Sequence, residues 1–104
     1  MSGGSRVKLT GVSGIISATH YSREGALHGH TWHITAWWPF QSEIGAEQRR
    51  QELVGYIQVF DHSILPDAIA WGEDLAEQIG LGLDACAVDV SRPLEGIYAK
   101  WVRN

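Results

Sequence analysis

His28-Gly29-His30-Thr31-Trp32-His33-Ile34-Thr35-Ala36-Trp37-Trp38 is the stretch whose pattern decides the fold. Its even positions are His28, His30, Trp32, Ile34, Ala36 and Trp38; its odd positions include Thr31, His33, Thr35 and Trp37. Side chains alternate across a β-strand, so the two sets stand on opposite faces. Pro39 ends the pairing, because it cannot donate to a ladder. Upstream, Val7 and Leu9 alternate with Arg6, Lys8 and Thr10, which predicts a strand over Val7 to His20. Gly11 and Gly14 suggest a bulge or bend within it. Ser22 to Ala26 reads as the connecting loop of a hairpin.

Downstream the period changes. Leu53, Val54, Ile57 and Phe60 recur at three- and four-residue spacing, which predicts a helix over Glu47 to Phe60. A second helix is expected from about Gly72 to Leu81, with Leu75, Ala76 and Ile79 as its stripe and Gly80 and Gly82 helping to stop it. Ala85 to Val90 reads as a strand that holds Cys86 as a small buried side chain. Arg92-Pro93 marks a turn. A last strand over Gly96 to Val102 alternates Ile97, Ala99 and Trp101 with Tyr98 and Lys100. The order β-β-α-α-β-β predicts an α+β domain, an antiparallel sheet with two helices on one face, spanning residues 1–104.

The chain has 104 residues, enough for one core and short enough that association of copies is expected. Lys and Arg number 8 against 12 Asp and Glu, a formal charge of −4. An acidic chain with scattered basic residues has no general attraction for nucleic acid or anionic membranes. No apolar run approaches the ~18 residues that cross a bilayer. Met1 to Lys8 is small and polar, so no secretory signal is expected. One cysteine excludes an internal disulfide framework and a multi-cysteine zinc site, which fits a reducing, cytoplasmic home. The five tryptophans read as core or subunit interface.

His28 and His30, two apart on a strand, project from one face at the mouth of the apolar surface that continues through Trp32. His20 ends the preceding strand, and the hairpin brings it beside them. Three neutral imidazoles suit zinc, and three protein ligands leave a fourth position open for water or substrate. A His-x-His pair alone is short and common; the third histidine is what raises the signal. His33 falls on the other face and is excluded by parity. Asp61-His62 at a helix end can form an oriented acid/base pair, or simply cap the helix and offset its dipole. Glu24, four residues before His28, is a fourth ligand, a general base or a solvated loop acid. Glu73 lies in the first turn of the second helix, where a carboxylate also stabilises the dipole.

These segments together resemble the 6-pyruvoyl tetrahydropterin synthase family, which includes the 6-carboxytetrahydropterin synthases of the queuosine pathway. Ile16-Ser17-Ala18-Thr19-His20 is similar to the strand that ends in the family's first zinc histidine. Leu27-His28-Gly29-His30-Thr31-Trp32 resembles the segment that supplies the other two. Phe60-Asp61-His62-Ser63-Ile64-Leu65 and Glu73-Asp74-Leu75-Ala76 resemble two further family segments, in the same order. The resemblance spans nearly the whole chain. It implies the tunnelling fold, trimers that stack into homohexamers with sites between subunits, and Zn2+ held by His20, His28 and His30. It implies a lyase acting on 7,8-dihydroneopterin triphosphate or a related dihydropterin. Asp61 and His62 would be its proton-relay pair, contributed from an adjacent subunit, and Glu73 would contact substrate.

Three departures accompany the resemblance. Glu24 stands where the family usually has its catalytic cysteine; some relatives with glutamate there are associated with cleavage to 6-hydroxymethyl-dihydropterin. Ala70-Trp71 replaces the Pro-Thr ahead of the helix acid. Val90 stands where a glutamate would pair with the pterin's amino-pyrimidine edge, with Asp89 or Glu95 as potential substitutes. The altered pterin half leaves two other readings open: a different small-molecule substrate on the same scaffold, or a paralogue without catalytic activity.

Overall fold

In the computed structural model, which describes residues 7–21 and 25–104, two strands of 13 residues set the frame. β1 (Leu9–Tyr21) and β2 (Leu27–Pro39) pair antiparallel from Leu9 opposite Pro39 to Tyr21 opposite Leu27. β3 (Ser63–Ile64) runs parallel to β1 on its outer side, β4 (Ala87–Arg92) pairs antiparallel with β2, and β5 (Ile97–Val102) pairs antiparallel with β4. The sheet order is β3-β1-β2-β4-β5. α1 (Ala46–Ile57) packs on β1, and α2 (Gly72–Leu83) packs on β4 and β5. The architecture is therefore the expected α+β one, with a short extra strand between the helices.

The alternation in β2 decides which face the helices cover. Trp32, Ile34, Ala36 and Trp38 are all buried, as are Ile16 and Ala18 on β1 and Val88 and Val90 on β4. Leu53 and Ile57 of α1 and Leu75, Ala76 and Ile79 of α2 close over them. Fully burying one such large aliphatic side chain contributes about 1.5–3 kcal/mol. The indoles keep their polar handle satisfied: Trp32 Nε1 donates to the Ala18 carbonyl at 3.1 Å and Trp38 Nε1 to the Leu83 carbonyl at 3.2 Å. The opposite sheet face carries Ile15, Tyr98 and Lys100, all exposed. Among the described residues no helix is long and apolar enough to cross a membrane.

Several local expectations are corrected. Gly11 and Gly14 mark no bulge, since the β1–β2 register runs unbroken through both. They are there for space: a Cβ at Gly11 would enter the Trp37 ring, and one at Gly14 would lie 2.9 Å from Ile57 Cδ1. α1 stops at Ile57, and Gln58–Phe60 forms a 3-10 turn. Gly80 and Gly82 do not stop α2. Gly80 gives room to the Trp101 ring, and the helix ends at Asp84, whose φ of 53° is left-handed. Cys86 precedes β4 in a bend and is half-buried. β4 begins two residues later than expected and continues past Val90 to Arg92. That shift matters most, because Arg92 becomes a strand residue on the same face as Val88 and Val90. Pro93–Glu95 then makes a 3-10 turn, and Gly96, at φ 72°, leads into β5.

Candidate metal centre and adjoining cavity

The hairpin register assembles the histidines. His20 stands opposite His28, and Ala18 stands opposite His30. His20 is buried at 6% exposure, His30 is half-buried and His28 is exposed. The Nε2 atoms of His20 and His30 lie 3.0 Å apart. Each ring is held from behind. His20 Nδ1 is 2.7 Å from the Ala70 carbonyl oxygen, and His30 Nδ1 is 3.1 Å from Glu95 Oε2. A carbonyl only accepts, so in the neutral His20 ring Nδ1 carries the hydrogen and Nε2 presents a lone pair, whereas His30 Nδ1 faces both Glu95 and, at 3.1 Å, Arg92 Nη1. Backing by a backbone carbonyl or a carboxylate is the usual outer support of a metal-binding histidine. Burial, and after it the Arg92 charge, hold the His30 imidazole below its usual pKa of 6.5, with Glu95 pulling the other way.

The donor set fits zinc in its chemistry. Three imidazoles around one zinc, each nitrogen ~2.0–2.1 Å from it, place their ring centroids about 5 Å apart. Here the separations are 4.8 Å for His20–His30, 6.0 Å for His28–His30 and 6.4 Å for His20–His28. Among the described residues no three His, Cys, Asp or Glu donors converge closely enough to hold an ion as they stand. For three imidazoles to share one ion, the exposed His28 ring would have to close on the other two. The Arg92 guanidinium also crowds the pair, its Nη1 lying 2.8 Å from His30 Nε2.

A cavity of about 180 Å³ adjoins the cluster, between the start of α2 and the sheet. His20, Trp32, Trp71, Glu73, Val90 and Arg92 are among its walls. Glu73 is thus at the cavity, exposed, in the first turn of α2. Val90 is 1% exposed and presents only apolar surface. Neither potential substitute supplies a carboxylate here. Asp89 points to the other sheet face, where it accepts from Trp37 Nε1 at 3.1 Å and pairs with Lys100 at 3.6 Å. Glu95 is engaged with His30 and, at 3.5 Å, with Arg92. Glu24 lies outside the described residues.

Asp61 and His62 form the expected pair, with Asp61 Oδ2 3.0 Å from His62 Nδ1. Asp61 Oδ1 accepts the Ser17 backbone N–H at 2.8 Å, and that bond is the leading reason its carboxyl sits below the ordinary carboxylate value. The His62 N–H donates in turn to the Ser17 carbonyl. The pair is therefore riveted to the outer edge of β1, beside β3, away from the β2–β4 side. His62 is 82% exposed, with φ 55°, a conformation uncommon outside glycine.

This constellation sits on a known scaffold. The structure of Caenorhabditis elegans 6-pyruvoyl tetrahydropterin synthase superposes with a TM-score of 0.70, covering 95% of this chain and 97% of that one. The chain has the fold of a 6-pyruvoyl tetrahydropterin synthase. Sequence identity is 12%, so the likeness is one of fold. No protein-family model matches the chain, and no curated protein does.

On this scaffold the structure brings together His20, His28, His30 and, through the cavity, Glu73; it sets Asp61-His62 at a separate edge. Sequence reading missed Arg92 and the role of Glu95 behind His30. The signal for Arg92 was parity, since it continues Val88 and Val90 at period two. Pro93 hid it by suggesting that the strand had already ended.

Proposed function

We propose that the chain is a zinc-dependent lyase of the 6-pyruvoyl and 6-carboxy tetrahydropterin synthase kind, with His20, His28 and His30 as ligands and Glu24 in place of the usual cysteine. The observation that carries this reading is the facing pair of Nε2 atoms, 3.0 Å apart, each on a ring whose Nδ1 is already committed. Bound zinc would supply Lewis acidity, polarising a substrate oxygen so that a neighbouring proton leaves more readily.

The chain's own groups divide the remaining work. The Ala70 carbonyl and Glu95 orient His20 and His30. Glu24, as a carboxylate, takes the proton that a thiolate would otherwise remove. Asp61, kept ionised, holds the His62 Nδ1–H and leaves Nε2 free to exchange a proton. The exposure of His62 suits a relay completed by another copy of the chain, in a trimer or dimer of trimers. A reducing, cytoplasmic setting suits the lone Cys86.

The resemblance supplies 7,8-dihydroneopterin triphosphate or a related dihydropterin as the first substrate. Val90 and Arg92 in the cavity favour the second reading, a different small molecule on the same metal, because neither accepts hydrogen bonds from an amino-pyrimidine edge. The deciding assay incubates zinc-loaded protein with 7,8-dihydroneopterin triphosphate and reads product mass, with Glu24→Ala and His28→Ala as controls. A product lost in both variants supports the pterin lyase, and its mass separates rearrangement from side-chain cleavage. No product, with zinc retained, moves the reading to the second substrate class. Failure to take up zinc at all ends both enzyme readings.

A further inference from the structure

We infer that the cavity beside His20 is an anion site, in which Arg92 receives the carboxylate or phosphate of a substrate no larger than a single ring or a short chain. The inference names the substrate class of the site proposed above and depends on that reading for the chemistry, though not for the binding.

The cavity combines a small apolar box with one guanidinium. Trp32, Val90, Ile97 and Ala99 supply the apolar walls. At about 180 Å³ it lies below the roughly 300 Å³ at which pockets for drug-sized ligands begin, so one ring fills it. Arg92 comes to it on the core face of β4, one pleat beyond the buried Val90, with its side chain 16% exposed. Its Cζ lies 5.1 Å from the Trp32 ring centroid, within cation–π range of that indole.

Among the described residues the hydrogen-bonding capacity of Arg92 is not filled. Nη1 is shared between His30 and a 3.5 Å approach to Glu95, itself 45% exposed. Nε is buried and has no hydrogen-bond partner among the described residues. A guanidinium carries five donors and no acceptor, and it matches an oxyanion's two oxygens best. The neighbouring wall has the same preference: α2 begins there, at Gly72 and Glu73, and its N-cap residue Trp71 gives no side-chain cap. A helix start favours negative charge. Among the described residues Glu73 is the one carboxylate on the wall and is exposed, so it is available to a donor group on the same ligand. Its charge makes a monoanion the better occupant, and the order expected is carboxylate before phosphate.

The test titrates chelator-treated, metal-free protein and zinc-loaded protein with benzoate, phenyl phosphate and 2-amino-4-hydroxypyrimidine, read by calorimetry and tryptophan fluorescence. The expected result is that the two anions bind in both preparations and the aminopyrimidine binds more weakly. Arg92→Gln should weaken anion binding about tenfold or more, while Arg92→Lys should recover part of it. Unchanged circular dichroism shows that either variant is folded. Benzoate ahead of phenyl phosphate assigns a carboxylate; the reverse assigns a phosphate and leaves the anion site standing. Preference for the aminopyrimidine, or undiminished anion binding in folded Arg92→Gln, overturns the inference. Because binding is measured without metal, a chain that takes up no zinc can still pass, and a zinc-loaded chain can still fail.

Discussion

Two regions of the molecule hold a histidine by its Nδ1, and they do so in opposite settings. At the closed end of the β1–β2 hairpin, His20 is 6% exposed and donates to the Ala70 carbonyl, with a second imidazole facing it. At the outer edge of β1, His62 is 82% exposed and is held by Asp61, which is anchored on the Ser17 N–H. The same chemical device thus orients a buried ring in one place and an exposed ring in the other. The difference comes from what surrounds Nε2: other imidazoles and a cavity at His20, and solvent at His62.

The comparison breaks most easily at His20. His20→Ala removes a buried, hydrogen-bonded ring and should cost about 2–3 kcal/mol of stability in denaturant unfolding, together with zinc uptake measured by elemental analysis. His28→Ala should abolish zinc uptake with stability within about 0.5 kcal/mol of the parent, since His28 is exposed. Equal stability losses in the two variants would erase the contrast between the buried ring and the exposed one.

At the other region the split reverses. His62→Ala should lower turnover by about 10²–10⁴-fold on whichever substrate the mass assay identifies. Its melting temperature should stay unchanged, since the ring is exposed. Activity retained in His62→Ala would leave the Asp61–His62 pair a structural rivet only. A finer effect is expected behind His30. Glu95→Gln keeps the shape but weakens the hold on His30 Nδ1, and zinc affinity should fall about 10–100-fold in competition with a chelator. An unchanged affinity would mean that His30 is oriented by packing alone.

The smallest effect is a pH dependence. The Asp61 carboxyl has a folded pKa below its ordinary 3.8, chiefly because the Ser17 N–H bonds its charged form. Its contribution to stability is therefore complete above pH 3.8 and is lost as pH falls through the lowered folded value. The stability difference between the parent and Asp61→Asn should shrink across that acid window. A difference that persists below it would show that the carboxylate charge is not what β1 recognises.

Much of this was legible in the amino-acid order. Period-two alternation over His28 to Trp38 and the three- and four-residue spacing of Leu53, Ile57, Leu75 and Ile79 are local properties, so they assigned strands, helices and buried faces correctly. The His20–His28 juxtaposition followed from hairpin pairing. Reading failed where two local signals conflicted or where a distant side chain set the reason. Gly11 and Gly80 looked like breaks in regular structure, yet they make room for Trp37 and Trp101, which are remote in the chain. The two-residue β3 is too short to carry a pattern of its own.

What the sequence by itself determined, then, is the α+β architecture, its core face and a set of imidazoles on one side of a hairpin, because strand and helix periods depend on near neighbours. The tertiary structure alone decided how those imidazoles are oriented and what stands beside them. Ala70 and Glu95 reach His20 and His30 across separations of 50 and 65 residues, and Arg92 reaches His30 across 62. Such partners are chosen by where elements pack, and no local spacing encodes them.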